Sequence, residues 1–313
     1  MKRNVSAWRQ PKHSWDTLGQ FLASKEIAFG IHSICFESVY LDIFINIVPK
    51  APLFVFFHGN CPRADNYYLP VFSGFSVTEG LAITTVVPSD PVLLMDDRID
   101  LSWHAGGKNL PLQQLYFLAL RHIQIISQAQ SMTFWGGSGG GFAALYYSSR
   151  FPDSFAFVWN PQTNVLEYIQ QAVEYYAQIA YGVSTLPALS EAAATQGICL
   201  NLCNSYFANS SNHVIYLQNL SDWHFKQHLQ PFVDEFDLVL DGDQGYLGMP
   251  GERLLLAAID ISNDHEPPPP SLIKDILAVL ATRAHHAVLG QLSARILELV
   301  QASKQSDPNP PTP

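Results

Sequence analysis

The run Trp135-Gly136-Gly137-Ser138-Gly139-Gly140-Gly141-Phe142 carries the pattern Gly-x-Ser-x-Gly at Gly136, Ser138 and Gly140. A serine in that setting can attack an acyl carbon, provided a strand precedes the turn and a helix follows it. So sharp a turn strains the serine backbone, and side chains two residues either side would collide with it or with the neighbouring strand. The helix amino terminus adds positive potential, and the N–H of Gly139 is placed to donate to an oxyanion. A phosphate-cradling loop would need Lys and Ser or Thr after the last glycine, where Phe142 and Ala143 stand. A dinucleotide fingerprint starting at Gly137 would need glycine in place of Phe142.

The surrounding sequence supplies the elements this turn requires. Ser131 to Trp135 predicts a strand, Phe142 to Ser149 a helix and Ser154 to Trp159 a further strand, together a parallel βαβ unit. Leu53 to Phe57 is apolar on both faces, as a central strand covered on two sides must be, and Leu81 to Val87 is comparable. Glu26 to Phe36 and Val39 to Val48 predict an antiparallel pair at a sheet edge. Between them and the glycine turn, apolar positions recur at helical spacing from Leu112 to Ala129. Asn164 to Tyr181 and Leu189 to Asn209 are expected to be mainly helical. Strands are expected at His213 to Gln218, Phe236 to Leu240 and Leu254 to Ile259, then helix from Ser271 to about Ala302. The fold class is α/β, a mostly parallel sheet flanked by helices in a domain spanning 26–303, with a helical cap insertion at about 161–211. Residues 1–25 are expected as an extension and 304–313 as a disordered, Pro-rich tail.

Strand, Gly-x-Ser-x-Gly and helix, with His58-Gly59 after an earlier apolar strand, resemble the α/β-hydrolase fold over roughly residues 26 to 300. The resemblance implies an oxyanion loop at His58-Gly59-Asn60-Cys61, whose second donor is a backbone N–H near Asn60, and a chain order of serine, acid, histidine. A serine hydroxyl needs a base to take its proton, and the base needs a carboxylate to fix its tautomer. In that order, His265 follows the Leu254 to Ile259 strand and is backed by the stiff segment Pro267 to Pro270. Asp222 follows the His213 to Gln218 strand. Asp241 and Asp243 remain alternative acids, and Asp222 would equally cap a helix starting at Trp223. His285 and His286 fall in a helical pattern and are expected at the surface. His224 and His228 are four apart but lack His-Glu-x-x-His or a third ligand, so no metal is expected, and this chemistry needs no cofactor.

Substrate contacts are expected from His58, from Arg98 and Trp103 in the long loop Pro88 to Leu110, and from Gln162 where the chain leaves Trp159. Tyr168, Tyr175, Tyr176 and Tyr181 give the cap an aromatic character. The stretches Asn160 to Asn164, Asp222 to His228 and His265 to Pro270 are similar to those of hydrolase-like proteins of bacterial surface-polysaccharide gene sets. The resulting expectation is a serine hydrolase of a carboxylic ester, the substrate an acylated carbohydrate. The alternatives are an acyltransferase to a glycan hydroxyl and a non-catalytic binding protein on the same fold. With 17 Lys+Arg against 27 Asp+Glu, a net charge of -10 argues against nucleic acid. With 48% hydrophobic residues, 313 residues can bury a large core, yet no stretch reaches the roughly 18 uninterrupted apolar residues of a spanning helix. The four cysteines form neither a disulfide framework nor a zinc motif; Cys199 and Cys203 are expected on a helix or in the core, and the protein in the cytoplasm.

Overall fold

The computed structural model describes residues 2–62, 68–203, 206–240, 245–282 and 289–305. Ten strands form one sheet: β1 (Lys12–Trp15), β2 (Gly30–Phe36), β3 (Val39–Asn46), β4 (Leu53–Phe56), β5 (Thr84–Pro88), β6 (Met132–Gly137), β7 (Phe155–Trp159), β8 (His213–Gln218), β9 (Tyr246–Gly251) and β10 (Leu254–Ala258). Their spatial order is β9-β10-β8-β7-β6-β4-β5-β3-β2-β1. From β10 across to β5 every pairing is parallel. Antiparallel pairings lie toward the edges, β9 on β10 at one side and the β2–β3 hairpin on β5 at the other.

The main helices are α1 (Leu112–Ser127), α2 (Ser138–Ser149), α3 (Gln170–Tyr176), α4 (Leu186–Thr195), α5 (Pro270–Ala281) and α6 (Leu289–Gln305). They cover both faces of the sheet, and the strands show why: Leu53 and Val55 of β4 point into one apolar cluster, Phe54 and Phe56 into the other. The first cluster takes Leu112, Leu115, Tyr116, Ala119 and Ile123 of α1, a helical stripe that the sequence spacing announced. The second takes Leu272, Ile276 and Leu280 of α5 and Leu292 and Ile296 of α6. Each such large side chain, fully buried, stabilises by about 1.5–3 kcal/mol.

Between β7 and β8 the chain makes a long excursion carrying α3 and α4. Thr185 caps α4 by accepting from Ala188 N, Pro187 sits in its first turn, and Gly197 at φ 67° follows its end. Cys199 and Cys203 therefore lie beyond the helix, half-buried in irregular chain, with their thiols donating to Asn201 O and Thr163 Oγ1. The excursion is closed at its base by Val165 N to Leu200 O (2.8 Å) and Leu202 N to Thr163 O (2.7 Å).

Three expectations change. Phe236–Leu240 is not a strand: Asp234–Phe236 is a 3₁₀ turn ending on Asp237 at φ 53°, and the outer strand is β9. That strand contains Gly248, Pro250 and Gly251, poor strand formers tolerated because it pairs on one side only. Within the expected extension, β1 adds to the sheet and Phe21 is buried. Helix α6 runs on to Gln305, and Ser306 onward lies outside the described residues. No helix among the described residues is long and apolar enough to cross a membrane.

Candidate active site

Ser138 is the first residue of α2, with Gly137 as its N-cap, and its φ is +53°. That value is uncommon for a residue bearing a side chain and is a local strain of order 1–3 kcal/mol. The motif glycines are required by contact. A Cβ on Gly136 would lie 2.3 Å from Gly140 O, and one on Gly140 would lie 2.5 Å from Phe57 O. Both obstacles are backbone, so neither end of Gly-x-Ser-x-Gly admits a larger residue without displacing the turn or its neighbouring strand.

The loop after β4 approaches the same turn: a Cβ on Gly59 would stand 3.2 Å from Gly137 O and 3.7 Å from the Ser138 Cβ. Cys61 N donates to Asp100 O at 2.7 Å, and the Asn60 amide, its nitrogen turned to Asp100, donates to Asp100 O at 3.1 Å. Asp90 N donates to Nε2 of His58 at 3.1 Å, which leaves the His58 proton on Nδ1, beside Gly59 O (3.0 Å). The buried His58 ring thus anchors the loop. Together this loop, Gly137, Ser138 and His265 line a cleft of about 370 Å³, with Val71, Trp135, Trp159 and Pro267 as apolar wall.

His265 Nδ1 lies 2.7 Å from Asp222 Oδ2. The other carboxylate oxygen, Oδ1, is 2.8 Å from His224 Nδ1 and accepts from His224 N at 2.9 Å. Burial works against the Asp222 charge, but the hydrogen bonds from His224 and His265 outweigh it and hold the carboxyl well below its usual range. Burial pushes His224 down despite the nearby carboxylate, and takes His228 down to about 3. The His224 ring stacks on His265 at 4.3 Å. With Nδ1 given to Asp222, His265 presents Nε2 for proton transfer, and its side chain is 38% exposed while that of Asp222 is fully covered. Among the described residues no hydrogen bond joins Ser138 Oγ to His265.

The donor atoms of Asp222, His224 and His265 lie within 4.8 Å of one another, a set able in number to hold an ion. Here each carboxylate oxygen is engaged by one imidazole, and the two rings stack.

No protein-family model matches the chain, and no curated protein sequence matches it. Solved structures are similar in shape. The capsule O-acetyltransferase of Neisseria meningitidis serogroup A superposes with TM-score 0.54 at 11% identity, covering 84% of this chain and 98% of that one. Pyrococcus horikoshii acylaminoacyl peptidase gives 0.52 at 15% identity, over 84% of this chain and 43% of that one. An S-formylglutathione hydrolase from Agrobacterium tumefaciens gives 0.50 at 16% identity, over 84% and 99%. The chain has the α/β-hydrolase fold. It spans less than half the length of the peptidase and nearly all of the other two.

Within this α/β-hydrolase fold, Ser138, Asp222 and His265 emerge at the carboxyl ends of β6, β8 and β10, the end at which open parallel sheets bind ligands. Of the residues picked out for substrate contact, His58 lines the cleft and Gln162 touches Ser138, its Nε2 lying 3.2 Å from Oγ. Arg98 and Trp103 are not in the cleft wall. Arg98 is exposed, paired with Asp96 at 2.8 Å and lying over the Tyr175 ring. Trp103 is 1% exposed and its indole N–H donates to Gln162 Oε1. The alternative acids Asp241 and Asp243, and His285 and His286, lie outside the described residues.

Two buried asparagines were not anticipated. Asn219 Nδ2 donates to Asp264 O (3.0 Å), Glu266 O (3.1 Å) and Ser262 Oγ (2.8 Å), while its Oδ1 accepts from Ile261 N and Ser262 N. Asn160 Nδ2 donates to Glu266 O at 3.2 Å, and its Oδ1 accepts from Asn219 N at 2.8 Å. The His265 loop is thus pinned from β7 and β8 as well as stiffened by its prolines. The signal was available: both asparagines directly follow a strand at the sheet's carboxyl end.

Proposed function

We propose that the chain is a serine hydrolase of carboxylic esters. The observation that carries this reading is Ser138, held at φ +53° on a strand-to-helix turn, in one cleft with a histidine whose far nitrogen is engaged by a buried carboxylate. Ser138 Oγ attacks the acyl carbon as its proton passes to His265 Nε2. The alcohol then leaves with that proton. Water repeats the sequence on the acyl-enzyme. Asp222 fixes the His265 tautomer and stabilises the imidazolium. The N–H groups of Gly139 and the Asn60 region hold the oxyanion, a contribution of about 2.7–4 kcal/mol per donor. No cofactor enters this scheme, and four free cysteines suit a reducing compartment, the cytoplasm.

A second reading passes the acyl group to a glycan hydroxyl; one of the similar structures is named as a capsule O-acetyltransferase. It is favoured by Trp223, 41% exposed beside Asp222 and 5.7 Å from the Tyr168 ring, an aromatic surface on which a sugar can stack. The deciding experiment is reaction with a fluorophosphonate probe and mass mapping of the label. Label on Ser138, absent from Ser138→Ala, is expected; folded wild-type protein without label would overturn both enzymatic readings and leave a binding protein. Partition of an acyl donor between water and an added oligosaccharide then separates hydrolysis from transfer.

A further inference from the structure

Gln162 is completely buried, and its backbone N–H and both ends of its side-chain amide are committed near the nucleophile. Its backbone N–H donates to Ser138 O at 3.1 Å, its Nε2 lies 3.2 Å from Ser138 Oγ, and its Oε1 accepts from Trp103 Nε1. An indole N–H can only donate, so Oε1 must face Trp103 and the amide nitrogen must face the serine. Ser138 Oγ therefore accepts from Gln162, and its own hydrogen must point elsewhere.

We propose that Gln162 is a catalytic donor to Ser138 Oγ and that Trp103 is its positioning residue. The proposal rests on Ser138 being the nucleophile. The donated hydrogen bond occupies one lone pair of Oγ and leaves the hydroxyl proton for His265. In deacylation the bond between Oγ and the acyl carbon breaks, the electron pair returns to Oγ, and the proton comes back from His265. The Gln162 N–H meets that developing charge as a donor fixed in advance. Trp103 is well suited to hold it. Its backbone and that of His104 have φ of +54° and +50°, His104 N is tied to Asp90 Oδ2 at 2.6 Å, and the indole is wedged edge-on between Tyr168 (5.8 Å) and Tyr176 (5.3 Å).

The test measures the fluorophosphonate labelling rate, with kcat and KM on an activated aryl ester. Gln162→Glu keeps the shape and still accepts from Trp103, but it turns an acceptor toward Oγ and draws the serine proton away from His265. Labelling and kcat are expected to fall about 100-fold, with KM changed less than about 3-fold. Trp103→Phe removes the N–H, together with part of the indole's bulk, and is expected to cost about 10-fold. In a Gln162→Met background it should cost nothing further, whereas a merely structural tryptophan would give additive losses. Wild-type rates in folded Gln162→Glu, or full additivity of Trp103→Phe and Gln162→Met, would overturn the proposal. The second comparison stands even where Gln162→Glu does not fold. Absence of label in wild type would instead remove the serine reading on which this one rests.

Discussion

Asp222 Oδ2 stands 2.7 Å from His265 Nδ1, and the same carboxylate holds His224 through its other oxygen at 2.8 Å. On the proposed mechanism, Asp222→Asn replaces one acceptor by a donor and so disrupts either the His265 tautomer or the His224 anchor. A loss of about 10⁴ in kcat is expected where the tautomer is lost. The check is ester turnover beside a thermal melt, and near-normal turnover in folded protein would remove Asp222 from the role of acid.

His224 separates anchoring from chemistry. It touches Asp222 but does not line the cleft. His224→Asn should lower kcat far less than Asp222→Asn while still reducing stability, by about 1–3 kcal/mol for a buried hydrogen bond lost. Urea unfolding and steady-state kinetics on both variants would show it.

Stability should decline as pH falls below about 6.5. Burial takes His32 down to about 4 and His228 down to about 3. Between the unfolded value and these, the unfolded chain binds protons that the folded chain refuses, so each group contributes stability that is complete above about 6.5 and is lost on acidification, at about 1.4 kcal/mol per pH unit per histidine. Asp222, held low in the folded state, contributes above the ordinary carboxylate range and loses that contribution only as pH falls through its depressed value. Urea midpoints at pH 6.5, 5.5 and 4.5 should step downward, and Asp222→Asn should not flatten that decline.

Gly140→Ala would set a Cβ 2.5 Å from Phe57 O, so it is expected to cost about 1–3 kcal/mol and most of the turnover. Gly290→Ala in α6 meets nothing within 4 Å and should stabilise by up to about 1 kcal/mol. Equal midpoints for the two variants would contradict the close-approach argument.

Arg98→Gln removes a surface pair with Asp96 away from the cleft. It should leave the thermal midpoint and kcat essentially unchanged, since exposed pairs of this kind contribute little. A large loss of turnover would return Arg98 to the substrate path.

The central sheet was legible because strands buried on both faces appear as continuous apolar runs, of which Leu53 to Phe56 is the clearest. Ser138 was legible because backbone crowding enforces glycine at fixed offsets. The outer strand Tyr246–Gly251 was not, since one-sided pairing asks little of its residues, and Phe236 to Leu240 looks more strand-like than the segment that pairs. Arg98 and Trp103 were placed in the correct loop, but residue type does not say which way a loop side chain turns. Asn219 was hidden because its partners are distant in sequence, the carbonyls of a loop some forty residues on; His224 lies two residues from Asp222, but spacing alone does not say that it takes one carboxylate oxygen while His265 takes the other.

The excursion between β7 and β8 is stapled at its neck, where Val165 meets Leu200 and Thr163 meets Leu202, while Gln162 and Asn160 just before the neck hold Ser138 and the His265 loop. Yet Tyr168 and Tyr176 of that excursion reach back to clasp the Trp103 indole, so a change anywhere in residues 166–199 that moves those two rings is felt behind Gln162.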